Sequence, residues 1–461
     1  MRKDVDVSVI GAGPAGLAAA TEASSKGLSV VLFDEQPEPG GQIFRNIETF
    51  ENPALGQILG EDYLNGSKVV EKFRVSSVDY RPSTSVWRVN PDGIVAWSDG
   101  KKAGILKSKK IIAATGALER PTPIPGWTLP GVMSVGAAQI LLKTSGMVPK
   151  GPTAIAGNGP LLYLTAHQLF SAGAEITVIL DTTSLRDYVA AIPHVPKALR
   201  ASEYLVKGAK LIQNLRRNGL RIESPITDIR AHGNGKLQKI SYSFRGQTFS
   251  LAADTLLLHQ GVVPNIQLSR QIGSKHEWHK TQRYWQPITK EWGTTTIKSL
   301  AVVGDGAGIF GSEAAEISGQ LAGLETAHNL AKIDLSERDA EANRLLIEHK
   351  RIRAVRPLLD KLYRPHKSIR TPDDDTIVCR CEEVTAGEVR KCIREGATGP
   401  NQLKAYTRCG MGPCQGRMCG LSVVEIIAEA RQKPIEEIGY YRVRPPIKPL
   451  TLGELAAMEN V

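Results

Sequence analysis

All six cysteines of this 461-residue chain fall within one short stretch near its C-terminal end. They are Cys379, Cys381, Cys392, Cys409, Cys414 and Cys419. A secreted disulfide protein spreads its cysteines through the fold, whereas crowded thiols in a reducing compartment are typical of metal or cluster ligation. We therefore expect a cytoplasmic protein with a thiolate-bound metal centre.

Short helices are predicted to hold the cysteine-bearing loops together. Cys379-x-Cys381 comes first, and the Thr-x-x-Glu pattern at 385–388 fits a capping box that begins a helix. Pro400 suits the first turn of a second helix, and residues 421–430 predict a third. Four thiolates from two such loops can hold a [2Fe–2S] cluster. A structural zinc ion is the alternative, although zinc ribbons more often use Cys-x-x-Cys pairs.

The N-terminal segment carries a different chemistry, that of dinucleotide binding. A β-branched strand, Val5–Ile10, leads into a G-x-G-x-x-G turn and an Ala-rich helix, and a second strand ends at Asp34. Gly11 permits the tight turn, Gly13 lets the backbone approach a pyrophosphate, and Gly16 lets the helix pack closely on the strand. The helix N-terminus attracts phosphate and Asp34 can bind a ribose, so the whole pattern predicts a dinucleotide site.

Residues 151–181 repeat this pattern with one change. Gly157 and Gly159 form the turn and Asp181 ends the second strand, but Leu162 holds the third glycine position. The segment is a candidate site for NAD or another nucleotide. The alternative is that the segment keeps the Rossmann-type fold while its pocket binds a nucleotide weakly or serves another purpose. His259, on an apolar strand, is expected to be structural.

Three further features favour FAD in the first site: a Gly-Gly-Gln turn at 40–42, a small-residue turn at 114–117 and a late strand-turn-helix at 299–323. Together they resemble the flavoprotein reductases with two dinucleotide domains. That resemblance implies that FAD contacts Gly11, Gly13, Pro14, Ala15, Gly16, Asp34, Glu35, Gly41, Gln42, Thr115, Gly116, Gly304 and Asp305. Reductases of this kind that act on disulfides carry a redox cysteine pair beside the flavin. No cysteine precedes Cys379, which excludes that chemistry here.

The cysteine segment is similar to [2Fe–2S] domains of the bacterioferritin-associated-ferredoxin (BFD) type. The resemblance implies Cys379 and Cys381 as ligands, with a closing pair from three competing cysteines. We favour Cys414 and Cys419, with Cys409 as the alternative ligand because it falls at the end of the preceding helix. Cys392 lies inside a helix and is expected to be a core residue.

Taken together, these features resemble the A subunits of opine oxidases, which act on octopine or nopaline. The B subunit of hydrogen cyanide synthase, the α subunit of D-hydroxyproline dehydrogenase and the α chain of sarcosine oxidase are similar. The resemblance implies an electron-transfer subunit with FAD and a [2Fe–2S] cluster. It also implies an amino-acid-oxidase-like FAD subunit that carries the substrate site, a small ferredoxin-like subunit and electron delivery to a membrane respiratory chain. We identify no catalytic acid–base pair in this chain.

The expected fold class is α/β, with two Rossmann-like domains, one inserted in the other, and a small helical C-terminal domain. We predict a discontinuous FAD domain at 1–120 and 263–335 and a hinge with the second Rossmann-like domain at 121–262. A basic linker at 336–375, a BFD-like domain at 376–440 and a tail at 441–461 complete the chain. The tail is expected to lie across another domain or subunit.

Other functions are weaker alternatives. The net charge of +11 and the basic stretch at 349–370 permit nucleic-acid binding, but no recognised binding module accompanies them, and we expect none. A self-sufficient NAD(P)H-dependent flavin reductase that passes electrons to the cluster would need the second nucleotide site. A non-enzymatic scaffold would have a vestigial flavin site and a structural metal.

Overall fold

The computed structural model describes residues 4–50 and 52–458. Its strands, in chain order, are β1 (Asp4–Ile10), β2 (Val30–Phe33), β3 (Asp79–Arg81), β4 (Ser85–Val89), β5 (Ile94–Ser98), β6 (Ala103–Ala113), β7 (Ala117–Glu119), β8 (Val132–Ser134), β9 (Thr153–Asn158), β10 (Ile176–Asp181), β11 (Ile222–Glu223), β12 (Ile226–His232), β13 (Lys239–Phe244), β14 (Gln247–Ala252), β15 (Thr255–Gln260), β16 (Val262–Pro264), β17 (His276–His279), β18 (Tyr284–Pro287), β19 (Leu300–Val302), β20 (Ile377–Cys379) and β21 (Val384–Thr385).

The α-helices are α1 (Pro14–Ser25), α2 (Pro53–Leu59), α3 (Glu61–Leu64), α4 (Gly66–Arg74), α5 (Val135–Ser145), α6 (Pro160–Ser171), α7 (Leu185–Ala191), α8 (Val195–Ala198), α9 (Ser202–Arg217), α10 (Gln267–Gln271), α11 (Ser312–Asn329), α12 (Leu335–Ile352), α13 (Arg356–Leu362), α14 (Lys367–Arg370), α15 (Ala386–Arg394), α16 (Pro400–Thr407), α17 (Gly420–Arg431), α18 (Ile435–Ile438) and α19 (Leu452–Ala456). Single 3₁₀ turns lie at Ile192–His194, Leu199–Ala201, Gly304–Gly306 and Arg353–Val355.

The first sheet has the strand order β3-β2-β1-β6-β5-β4, and β19 pairs with the C-terminal part of β6. Val9 of β1 lies opposite Leu32 of β2 and Ile112 of β6, and both pairings are parallel. These three side chains are fully buried. A parallel sheet needs cover on both faces, which explains why β2 is a continuous apolar run and why β1 is buried throughout its C-terminal half, from Val7 to Ile10. We call this sheet with α1 and α11 the first unit.

The second sheet has the order β11-β10-β9-β15-β8, and all of its pairings are parallel. We call this sheet with α5 and α6 the second unit. An antiparallel meander, β12-β13-β14, packs beside it. The chain enters the second unit after β7 and leaves it through β16, and these two strands pair with each other. The α/β class with Rossmann-type units and a helical C-terminal region is therefore confirmed.

The basic stretch folds back onto the second unit as α12, α13 and α14. Val355 and Leu358 share a small core with three alanines of the segment that follows β10. Much of the positive charge of this stretch is paired with carboxylates of the same chain. The ion pairs are Arg351–Glu203 (2.5 Å), Arg356–Asp360 (2.7 Å), Arg364–Asp187 (2.5 Å) and Arg370–Glu425 (3.2 Å).

The tail crosses the first unit. The amide of Ile447 donates to the carbonyl of Trp87 (2.9 Å), and the Ile447 side chain is buried. Lys448 forms an ion pair with Glu35 (2.7 Å). No helix among residues 4–50 and 52–458 is long and apolar enough to cross a bilayer.

Candidate functional site

The first dinucleotide turn is built as its glycines predict. Gly11 has φ of +104°, and a Cβ there would lie 2.4 Å from the carbonyl oxygen of Ala114. A Cβ on Gly16 would lie 1.8 Å from the carbonyl oxygen of Gly11, so only glycine lets α1 approach β1 this closely. A Cβ on Gly13, by contrast, would have only the Cα of Gly41 within 4 Å, at 3.8 Å. Backbone is therefore exposed to an incoming phosphate where the motif needs it.

Asp34 stands at the end of β2 beside this turn. Its carboxylate accepts from the amide of Ala12 (2.5 Å) and from that of Gln36 (2.7 Å). Burial raises the pKa of Asp34, while these two amides oppose the rise. Backbone bonds leave each oxygen with acceptor capacity for a ribose hydroxyl. The neighbouring Glu35 points outward and is held by Lys448.

The late Gly-Asp turn meets the first turn. A Cβ on Gly304 would lie 2.7 Å from the Cβ of Ala15, and one on Gly319 would lie 2.1 Å from the carbonyl oxygen of Ala15. This close contact brings the N-terminal ends of α1 and α11 to one edge of the sheet. Asp305 accepts from the amides of Phe310 (2.9 Å) and Gly311 (3.2 Å), and burial raises its pKa.

The turn after β6 completes this edge. The hydroxyl of Thr115 donates to the carbonyl of Asn265 (3.0 Å), and Gly116 has φ of +63°. Pro14 begins α1 and has no amide to offer a phosphate. The predicted residues of the first site are thus gathered at one sheet edge, and their backbone amides and carboxylates fit a dinucleotide such as FAD.

Lys143 of α5 ties the second unit to the loop at Gly41. Its Nζ donates to the carbonyls of Gln42 (3.2 Å) and Ile43 (2.8 Å). Burial lowers the pKa of Lys143 to about 7, and Arg45 adds to the shift. No sequence pattern indicates this residue, since a lone lysine on an amphipathic helix gives no signal of burial.

The second turn differs from the first in its backbone and in its surroundings. Gly157 and Gly159 have φ of +142° and +105°, whereas Gly13, the counterpart of Gly159, has φ of −77°. Leu162 is fully buried in the core at the position of Gly16. Asp181 is only 2% exposed, because its Oδ2 accepts from the hydroxyl of Tyr163 (2.5 Å). The carboxylate that a ribose would need is already bound by a side chain of α6.

The chain also fills the mouth of this second turn. The side-chain amide of Asn158 donates to the carbonyl of Arg364 (2.8 Å), and Gln260 accepts from the amide of His366 (3.1 Å). We call residues 363–366 the crevice segment. Burial raises the pKa of Asp181, in keeping with a carboxylate closed off from solvent. These residues do not fit a bound NAD in the arrangement described.

His259 has a structural environment. Its Nδ1 lies 2.6 Å from a carboxylate oxygen of Glu119, whose other oxygen accepts from the amide of Gly136 (2.8 Å). Arg120 is buried beside it and donates to the carbonyls of Gln260 and Arg283 (both 3.0 Å). This network joins β7, β15 and α5.

Five of the six cysteines converge in the C-terminal region, and we call them the thiol patch: Cys379, Cys381, Cys409, Cys414 and Cys419. The sulfur atoms of Cys379, Cys409 and Cys419 lie within 4.8 Å of one another, and all three side chains are buried. Cys381 is exposed and hydrogen-bonds with Cys414, which is half-buried. The sixth cysteine, Cys392, is buried within α15, away from the patch.

The three buried thiols shift one another's pKa values. Hydrogen bonds from Cys409 and Cys419 lower the pKa of Cys379, and the pKa values of both donors are raised in turn. An all-sulfur donor set of this kind suits zinc or an iron–sulfur cluster. Cys409, ranked as the alternative ligand from the sequence, lies as deep as Cys419. The predicted capping box is present, with Thr385 and Glu388 bonded reciprocally at the start of α15.

The thiol patch and the Gly-Asp turn share one hydrophobic core. Ile309, which follows Asp305 by four residues, packs in the same cluster as Cys379 and Cys409 together with Trp278 and Trp285. Polar contacts reinforce this interface. Arg283 pairs with Glu425 of α17, and Gln267 donates to the carbonyl of Gln415 (3.0 Å).

Known proteins place this geometry in context. The sequence profile of the pyridine nucleotide-disulphide oxidoreductases matches residues 5–329, and that of the sarcosine oxidase A3 domain matches residues 374–459. The A subunit of opine oxidase from Agrobacterium tumefaciens (strain Ach5) is 42% identical to this chain, across 99% of this chain and 92% of that protein.

Two further proteins also span most of the chain, one similar in sequence and one in fold. Hydrogen cyanide synthase subunit HcnB of Pseudomonas aeruginosa is 29% identical, with 96% of each chain covered. The crystal structure of L-proline dehydrogenase from P. horikoshii superposes with a TM-score of 0.69 at 21% identity, covering 98% of this chain and 79% of that one. At that identity the superposition supports the fold alone.

Proposed function

Because this chain belongs to the family of opine oxidase A subunits and is an FAD-type oxidoreductase, we propose that it is the electron-transfer subunit of a heteromeric oxidase. The enzyme would cleave the C–N bond of an opine or a related secondary-amine amino acid. For octopine or nopaline the products are arginine and a 2-oxo acid. Electrons would pass between FAD in the first unit and a [2Fe–2S] cluster in the thiol patch.

The observation that carries this proposal is the shared core of the thiol patch and the Gly-Asp turn. Ile309, in the loop after Asp305, lies in the same hydrophobic cluster as the buried cysteines, and Arg283 and Gln267 bond the loop before β18 and α10 to the C-terminal region. A structural zinc ion beside a flavin site would contribute nothing to the transfer of electrons from the flavin. A cluster there would exchange electrons singly with a flavin that takes them in pairs.

For the flavin we assign the residues gathered at the edge of the first sheet. The backbone at Gly13, Ala15 and Gly16 would face the pyrophosphate, and Asp34 would hold the ribose of the ADP half. Gly41 and Gln42 approach the flavin ring from the loop that Lys143 anchors. Gly304 and Asp305 hold the ribityl and pyrophosphate region at the start of α11.

For the cluster we assign Cys379, Cys381 and Cys414, with the fourth place taken by Cys419 or Cys409. The two candidates differ little in this structure, because both sulfurs lie within 4.8 Å of that of Cys379. Iron content in Cys409→Ser and Cys419→Ser would separate them. Only the true ligand's variant should lose iron.

Substrate oxidation belongs to a partner subunit in this proposal. Both HcnB and the related opine oxidase protein are named as subunits, which supports partners for this chain. We expect an amino-acid-oxidase-like FAD subunit with the substrate site and a small ferredoxin-like subunit. The flavin of that FAD subunit would supply two-electron, two-proton oxidation of the secondary amine to an imine, which water would hydrolyse to the amine product and the 2-oxo acid. Electrons would continue to a membrane respiratory chain.

The rival function, a self-sufficient NAD(P)H-dependent reductase, is less well supported. It needs a nicotinamide site in the second unit, where Tyr163 binds Asp181 and the crevice segment binds Asn158. No contact in the described residues favours nicotinamide there.

The decisive experiment is an absorption spectrum of the anaerobically purified chain before and after dithionite, with iron and zinc counted on the same sample. We expect flavin bands, broad visible absorption that bleaches, and about two irons per chain. Flavin with zinc and without iron would refute the relay. Turnover of an opine by this chain alone would refute the division of labour between subunits.

A further inference from the structure

Tyr441 places a phenol hydroxyl against the buried sulfurs of the thiol patch. The hydroxyl donates to the sulfur of Cys409 (3.4 Å) and lies 3.8 Å from that of Cys419. Tyr441 is 2% exposed, and both cysteines are fully buried. The hydroxyl therefore contacts both of the sulfurs that compete for the fourth ligand place.

The loop between these cysteines is shaped around the Tyr441 ring. A Cβ on Gly410 would lie 2.5 Å from the ring, and one on Gly416 would lie 2.6 Å from it. Both glycines also have positive φ, at +84° and +78°. Any other residue at either position would collide with the ring and strain the turn. The two glycines therefore make room for a ring that reaches the sulfurs.

Two hydrogen bonds from Asn401 of α16, which we call the tail clamp, hold the backbone on either side of Tyr441. The side chain of Asn401 donates to the carbonyl of Tyr440 (3.0 Å) and accepts from the amide of Arg442 (2.7 Å). Tyr441 lies between those two bonds. Lys404 of the same helix lies 4.7 Å over the ring of Tyr441. One helix thus carries the tail clamp and leads directly into Cys409.

We propose that Tyr441 is a positioning residue that donates an O–H···S hydrogen bond to a cluster thiolate and so raises the reduction potential of the cluster. This rests on the proposed function, since it requires a cluster in the thiol patch. Reduction by one electron adds negative charge to the sulfurs, and a fixed donor stabilises that state more than the oxidised one. The burial of the site strengthens the effect, because water cannot replace the donor.

The chain offers a matched control in the adjacent tyrosine. Tyr440 stacks edge-on against Tyr441 at 5.8 Å and is packed on the guanidinium of Arg270 at 4.7 Å. It contributes ring packing to the same core without a hydroxyl bond to Cys409 or Cys419. Tyr440→Phe therefore removes a buried hydroxyl near the patch and keeps the O–H···S contact.

The test is an anaerobic redox titration of the full chain, followed by electron paramagnetic resonance, with iron counted for each variant. In Tyr441→Phe we expect the midpoint potential to fall by about 59 mV, a tenfold change in the one-electron equilibrium. Tyr440→Phe should match the wild type. Asn401→Ala should shift the potential in the same direction by less, because Tyr441 keeps its hydroxyl but loses its clamp.

Three results would overturn the proposal. The first is an unchanged potential in Tyr441→Phe with full iron content, and the second is an equal shift in both tyrosine variants. The third is loss of iron from both Tyr441→Phe and Asn401→Ala, which would make Tyr441 a structural residue only. If only Tyr441→Phe loses iron, the midpoint potential of the cluster in Asn401→Ala becomes the test. A fall relative to the wild type would support the proposal, and an unchanged potential would overturn it. A wild-type chain without iron would instead refute the proposed function.

Discussion

The two Rossmann-type units share one sequence pattern, but the acidic residue that ends the second strand of each has different hydrogen-bond partners. Asp34 is held by backbone amides alone, whereas Asp181 accepts from the hydroxyl of Tyr163 as well as from the amide of Thr183. The first turn has glycine at its third position, and the second has the buried Leu162. A shared fold therefore does not imply a shared ligand. The side chains on the first helical turn and the segment across the mouth decide whether the site stays open.

The largest effect should come from making the first turn resemble the second. Gly16→Leu brings a side chain to where a Cβ alone would lie 1.8 Å from the carbonyl oxygen of Gly11. We expect complete loss of flavin from the purified protein, measured as the ratio of flavin to protein absorbance. Gly208→Ala is the control, since nothing lies within 4 Å of its added Cβ. Full flavin content in Gly16→Leu would mean that the close contact is dispensable.

Replacing Asp34 and Asp181 by alanine, one at a time, should separate effects on FAD binding from effects on the free energy of unfolding. Asp181→Ala leaves the buried hydroxyl of Tyr163 without an acceptor and should lower the free energy of unfolding by about 1–3 kcal/mol, with normal flavin content. Asp34→Ala should weaken FAD binding by about 10–100-fold, which corresponds to a hydrogen bond to a charged group. Chemical denaturation and flavin titration of both variants test this. Weaker FAD binding in Asp181→Ala would contradict the comparison.

Lys143 links the two units and should give a pH signature. Its pKa is lowered from 10.5 to about 7, so between these values the unfolded chain binds more protons than the folded one. Stability should therefore rise with pH across this window, and below about 7 the cost of burying the lysine is constant. Lys143→Met should flatten that slope, as measured by denaturation at several pH values. An identical slope in both proteins would show that Lys143 is solvated.

The smallest expected effect is none at all. Millimolar NADH, mixed anaerobically with the holoprotein, should leave the flavin bands unchanged, because Tyr163 and the crevice segment occupy the second site. Dithionite serves as the positive control for flavin reduction. Rapid bleaching by NADH would show that the crevice opens in solution, and it would revive the reductase alternative.

The sequence predicted what depends on local backbone rules. The glycine turn at Gly11, the capping box at Thr385 and the burial of Cys392 each follow from a few neighbouring residues. The bond between Asn158 and Arg364 joins residues 206 positions apart, and no local pattern signals it. Tyr163 could have been suspected, since it directly follows Leu162 on the helix that faces Asp181.

The cysteines show the same limit. Their crowding indicated a thiolate site, but the choice between Cys409 and Cys419 depends on how the loop folds around Tyr441, which lies 22 residues beyond Cys419. Helix position alone placed Cys409 last among the candidates. In the structure it lies against Cys379 because Arg408 ends α16 in a left-handed turn (φ of +59°) and redirects the chain inward.

The placement of Tyr441 has a consequence for how the protein is made. Translation produces all six cysteines before it produces the tail at 441–461. Until that tail docks, through Asn401 and then across the first unit to Trp87 and Glu35, the buried sulfurs lack their cover. Iron delivered before the tail docks would meet an open set of thiols, and docking of the tail would then close it.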